Sequence, residues 1–91
     1  MMLFMTVMAT PEKNTYYQFM NGNAEITKMT GVKTAGGCAT KTPDGYYVAI
    51  DSSLPMPRQN KILKHENCHV RQYRENRTVN EMECDIWSML P

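Results

Sequence analysis

The chain has 91 residues, with ten Lys and Arg against nine Asp and Glu for a net charge of +1, too balanced for nucleic acid or an anionic membrane as the main partner. One domain is the count at this length, and it buries only about 60–65% of its unfolded surface, so a staple or a metal is expected to support it. A mean hydropathy of −0.52, with no apolar run near the ~18–20 residues of a spanning helix, excludes a membrane span.

Met1–Ala9 (MMLFMTVMA) reads as a first β-strand, although Val7-Met8-Ala9 has the small-residue spacing of a signal-peptidase site without a preceding cation. Thr10-Pro11-Glu12 has the signals of a helix start, and a helix carrying Tyr16, Tyr17, Phe19 and Met20 is expected to stop at Asn21-Gly22. Residues 24–30 (AEITKMT) suggest a short helical turn, and Gly31–Gly37 a loop. Cys38–Thr42 and Tyr46–Ile50 flank Pro43-Asp44-Gly45, which predicts a hairpin, since Pro presets one dihedral and Gly supplies an unusual one. Ser52–Pro57 should be extended, because the residues before Pro55 and Pro57 avoid the helical region. Asn60 then caps a helix to about Asn76, with Ile62, Leu63, Val70 and Tyr73 as apolar positions. Thr78-Val79-Asn80-Glu81 fits a capping box for a last helix, whose Met82, Ile86, Met89 and Leu90 are spaced for core packing. This order makes an α+β domain.

The chemistry sits in His65-Glu66-Asn67-Cys68-His69, an H-E-x-x-H pattern on a predicted helix. Residues four apart share a helical face, so both imidazoles can address one ion, and zinc accepts such nitrogens while a catalytic site keeps one position for water. Glu66, beside the first histidine, is placed to accept a proton from that water. The chain has two histidines and both lie here. The bland alternative is an exposed face with two solvated imidazoles. Glu81, twelve residues after His69, is the candidate third ligand, against its alternative role in the capping box. Asp85, one turn later, shares its face and suits the distal N–H of a ligating histidine, or is an ordinary solvated carboxylate.

An H-E-x-x-H helix followed by Glu81-Met-Glu-Cys-Asp85-Ile-Trp-Ser-Met-Leu-Pro91 resembles the gluzincin metallopeptidases, especially the ImmA/IrrE-type family. The resemblance covers residues 46–91. It implies a minimal zincin-like domain, a small antiparallel sheet packed on the H-E-x-x-H helix and a C-terminal E-x-x-x-D helix. It further implies Zn²⁺ held by His65, His69 and Glu81, with Glu66 as general base. The strand at 46–50 would be the edge on which an extended peptide pairs. Two departures stand out: the family usually has small residues where Cys68 and Cys84 stand, and a longer interval between its helices. If both helices share one ion, Cys68 and Cys84 approach each other, and a disulfide forms if their Cα atoms lie within ~7 Å; buried thiols are the alternative.

Three cysteines are odd in number and too few for a disulfide framework. They leave the compartment open: cytoplasmic by default, exported if Met1–Ala9 is a truncated signal segment. Two functions compete. One is a zinc peptidase acting on a polypeptide substrate; the other is a non-catalytic zinc-stabilised domain that binds a protein partner. A weaker third is a regulator that interacts through its hairpin, with incidental histidines. Glu66 separates the first two, because a structural zinc site has no use for it.

Overall fold

Tyr46-Tyr47-Val48-Ala49-Ile50 is rich in aromatic and β-branched residues that suit a pleated, packed surface, and it forms the middle of the sheet. A computed structural model describes residues 9–31 and 33–90. Its elements are β1 (Thr15–Met20), α1 (Asn23–Thr30), β2 (Gly37–Thr42), β3 (Gly45–Asp51), α2 (Met56–Arg74) and α3 (Glu81–Met89). The order in the sheet is β1-β3-β2. The result is a small mixed α+β domain with three strands and three helices. No described helix is long and apolar enough to cross a membrane.

The hairpin forms as the Pro43-Asp44-Gly45 turn predicts, with β2 antiparallel to β3 from Gly37↔Ile50 to Thr42↔Gly45. The expected all-antiparallel sheet is corrected, however, because β1 runs parallel to β3 from Thr15↔Tyr46 to Met20↔Asp51. This segment was expected as a helix. Asn14 takes a left-handed φ of 55°, which breaks a helix one residue before β1. Tyr16, Tyr17 and Phe19 then favour the strand, and pairing along β3 outweighs the local Thr-Pro-Glu start signal. Glu12 caps nothing, since its carboxylate receives Arg71 at 3.3 Å and Arg74 at 2.8 Å. The short helix after β1 forms at α1, but the strand expected at Met1–Ala9 lies, Ala9 apart, outside the described residues.

Side-chain alternation gives the sheet two apolar faces. Val48 and Ile50 pack with Ile62, Leu63 and Val70 of α2, while Ala49 and Met20 pack with Ile26 of α1. Gly37 brings β2 close to α2, because a Cβ there would meet Ile62 at 2.6 Å and Ala49 O at 2.8 Å.

α2 begins four residues earlier than Asn60, at Met56. Pro57 fits its first turn, where no N–H partner is needed. Gln59 Nε2 donates to Ser52 O at 3.1 Å and Leu54 O at 2.7 Å, folding the connector against the helix. At the far end Asn76 is left-handed (φ 55°), and Arg77 N donates to Gln72 O at 2.8 Å, a hydrogen-bonded stop of the Schellman type. The last helix is capped by Asn80 rather than Thr78: Glu83 N donates to Asn80 Oδ1 at 3.0 Å.

The expected core face of this last helix is also corrected. Met82, Ile86 and Met89 are exposed (73%, 55% and 68%), as is Leu90, and the buried positions of α3 are Cys84 and Ser88. α3 lies on the side of α2 away from the apolar core. Its small face meets α2 closely and leaves the larger apolar side chains turned outward.

Candidate metal centre

His65 and His69 lie one turn apart on α2, and Glu81 opens α3, so their convergence depends on how the two helices are joined. Cys68 and Cys84 form a disulfide with Cα atoms 5.3 Å apart, which fastens α2 to α3 beside the histidines. Gln72, fully buried, fastens the other end of the connection. Its Nε2 donates to Asn80 O at 3.1 Å and Glu83 Oε1 at 3.0 Å, and its Oε1 accepts from Asn80 N at 3.1 Å. Arg77 holds Glu83 with two nitrogens, at 2.9 and 3.0 Å. Short as it is, the interval from His69 therefore delivers Glu81 to the histidines.

The three groups form a near-equilateral triangle. His65 Nε2 and His69 Nε2 are 3.1 Å apart, and Glu81 Oε1 stands 3.0 Å from the first and 3.2 Å from the second. Tetrahedral zinc with bonds of ~2.0–2.1 Å has ligand–ligand edges of about 3.3–3.4 Å, so the donor set fits zinc after a small expansion. Among the described residues this is the group of His, Cys, Asp and Glu able to hold an ion.

The other ring nitrogens decide the chemistry of the first. His65 Nδ1 faces Asp85 Oδ1 at 3.1 Å, and His69 Nδ1 faces Gln72 Oε1 at 2.9 Å. Both partners are acceptors: the Gln72 amide orientation follows from its nitrogen facing two oxygens. A ring that keeps its proton on Nδ1, facing these acceptors, has its Nε2 lone pair free for a cation at the triangle, the tautomer a metal requires.

The arrangement is open on one side. Glu81 and Asp85 side chains are 69% and 64% exposed, His65 is 19% exposed and His69 only 7%. Burial raises the Glu81 carboxyl, but the adjacent His69 and His65 outweigh it and hold it below its usual range. The triangle borders a cleft of about 570 Å³ between α2 and the β2 edge, with Gly37, Ala39 and Tyr73 in its wall.

Glu66 lies in the same wall, 8% exposed. Among the described residues nothing donates a hydrogen bond to its carboxylate. Burial pushes its pKa up to about 7, against an opposing pull from His69 and with a further push from Glu81. Its oxygens are not sealed from solvent, so the carboxylate opens onto the cleft with no hydrogen bond to give it a structural role.

Local spacing identified His65, His69, Glu81 and Asp85, and all four meet here. Gln72 was missed. Its one local signal is its position three residues after His69 on the same face; its remaining partners, the Asn80 backbone and the Glu83 carboxylate, lie across the turn in the next helix and its cap. The expected substrate edge is also corrected: β3 is paired on both sides, and the free edge toward the cleft belongs to β2. Asp51 N donates to Gly36 O at 2.8 Å, and the antiparallel alternation then turns the backbone groups of Gly37 and Ala39 outward. Cys38 is a free, half-buried thiol.

No protein-family model matches this chain, and comparison with curated proteins and with solved structures finds no match either.

Proposed function

We propose that this chain is a minimal zincin-like metallopeptidase of the gluzincin type. His65, His69 and Glu81 hold one zinc ion, and Asp85 and Gln72 keep the two rings oriented toward it. Zinc bound there supplies a Lewis acid for the scissile carbonyl and a water acidified toward neutrality. Glu66 takes the proton of the attacking water and delivers it to the departing amine, a role that calls for a carboxylate near neutral pKa within reach of the centre. The outward backbone groups of Gly37 and Ala39 pair with an extended polypeptide substrate.

One observation carries this reading over its rival: the Glu66 carboxylate, on a largely buried side chain and without a hydrogen-bond partner among the described residues, opens onto the cleft that the His-His-Glu triangle borders. A non-catalytic zinc-stabilised domain that binds a protein partner draws support from the outward Met82, Ile86 and Met89 of α3, but it leaves Glu66 without purpose. The test is Glu66→Gln. The variant is expected to keep one equivalent of zinc and lose hydrolysis of an unfolded protein substrate by about 10²–10⁴-fold. Hydrolysis at the wild-type rate would remove Glu66 as the base.

A further inference from the structure

The cleft is not electrically uniform along its length. Lys33, Arg58 and Lys61 line it at one end, and Tyr73 and Val79 at the other. All three cations are exposed, and among the described residues none has an ion-pair partner, whereas Arg71 and Arg74 share Glu12 and Arg77 pairs with Glu75 and Glu83. Their position follows from the helix. At ~1.5 Å per residue, Lys61 lies about 6 Å and Arg58 about 10 Å from His65 toward the start of α2. The positive end of the α2 dipole reinforces them.

β2 and α2 run in the same sense. Gly37 sits against Ile62 and Glu66, near the beginning of the helical face, while Ala39 O receives the Tyr73 hydroxyl at 3.4 Å, farther along it. A peptide added antiparallel to β2, the more stable pairing, thus runs its C-terminal side toward Lys61, Arg58 and Lys33. An extended chain advances ~3.3 Å per residue. Three residues beyond the triangle bring it to the cations.

We infer that the cleft selects peptides bearing a carboxylate about three residues to the C-terminal side of the bond held at His65, His69 and Glu81, with Lys33, Arg58 and Lys61 as its readers. The inference rests on the peptidase reading for the position of that bond. The carboxylate comes either from an acidic side chain or from a free C-terminus, since the cations distinguish charge rather than connectivity. Apolar residues suit the opposite side, against Tyr73 and Val79.

Zinc-loaded Glu66→Gln protein is titrated with four labelled peptide pools, uncharged and randomised at the first five positions. Three are nine-residue amides with Asp, Ala or Lys at position eight, and the fourth ends at position eight with an Ala and its free carboxylate. The Asp pool or the free-carboxylate pool is expected to bind about 10-fold tighter than the Lys pool in 50 mM salt, shrinking to about 2–3-fold in 300 mM as screening grows. The pool that gains identifies the source of the carboxylate. Arg58→Glu with Lys61→Glu should move the preference to Lys, whereas Lys41→Glu, far along β2, should not. Equal binding of all pools, a Lys preference in the unaltered cleft, or no binding to any pool overturns the inference. The two readings fail separately: wild-type protein that cleaves all pools alike sinks only the carboxylate preference, and carboxylate-selective binding without wild-type cleavage sinks only the peptidase.

Discussion

The two faces of α2 are built from different materials. Toward the sheet, Ile62, Leu63 and Val70 meet Val48 and Ile50 in a closed apolar core. Toward α3, a disulfide, the buried Gln72 amide, an Arg71–Trp87 stack at 4.7 Å and a Lys64–Leu90 O bond at 2.6 Å make the contact. The first face is held by removal of apolar area from water, and the second by one covalent link and directional bonds. The His65–His69–Glu81 group straddles the second. Charged and polar groups cannot be bedded in apolar contacts without being desolvated, so α3 is anchored by a staple that leaves Glu81 and Asp85 solvated.

The contrast can be broken at either face. Ile50→Ala, in the apolar core, should cost about 3–4 kcal/mol in denaturant unfolding and leave one zinc per folded molecule. Replacing Cys68 and Cys84 together by Ser should cost about 3 kcal/mol, as expected for a crosslink spanning 16 residues. Unlike the core variant, it should weaken zinc binding at least about 10-fold by calorimetry, because α3 then holds Glu81 less firmly. Equal zinc affinity in the two variants would show that the disulfide does not position the ligand.

Gln72→Leu sharpens the comparison within the polar face. It removes the acceptor of the His69 Nδ1–H and the clamp on Asn80, and zinc affinity should drop about 10–100-fold. An unchanged affinity would mean that the ring needs no such partner. The smallest effect belongs to Ile86→Ser. At 55% exposure its cost should stay within about 0.5 kcal/mol, and a loss of 2 kcal/mol in thermal or chemical unfolding would place it in a core after all.

Legibility in the sequence followed the range of the forces involved. His65 with His69, and Glu81 with Asp85, are related by one helical turn, and the hairpin by three turn residues, so all could be read locally. β1 could not. Thr10-Pro11-Glu12 carries a genuine helix-start pattern, and pairing with Tyr46–Asp51, some thirty residues away, overrides it. The α3 face was misread for a related reason. Apolar periodicity in Met82, Ile86 and Met89 normally marks the buried side, but here the disulfide chooses the side that packs, and Cys84 and Ser88 occupy it. The early start of α2 depended on Gln59 bonding back to Ser52 and Leu54, a contact that propensity alone does not contain.

The most direct measurement is native mass spectrometry of the purified chain after addition of zinc, beside Glu81→Ala and Glu83→Ala. One ion per wild-type molecule, retained in Glu83→Ala and lost from Glu81→Ala at the same free zinc, is the expected result. A folded wild-type chain that takes up no zinc, or equal loss in both variants, would contradict it.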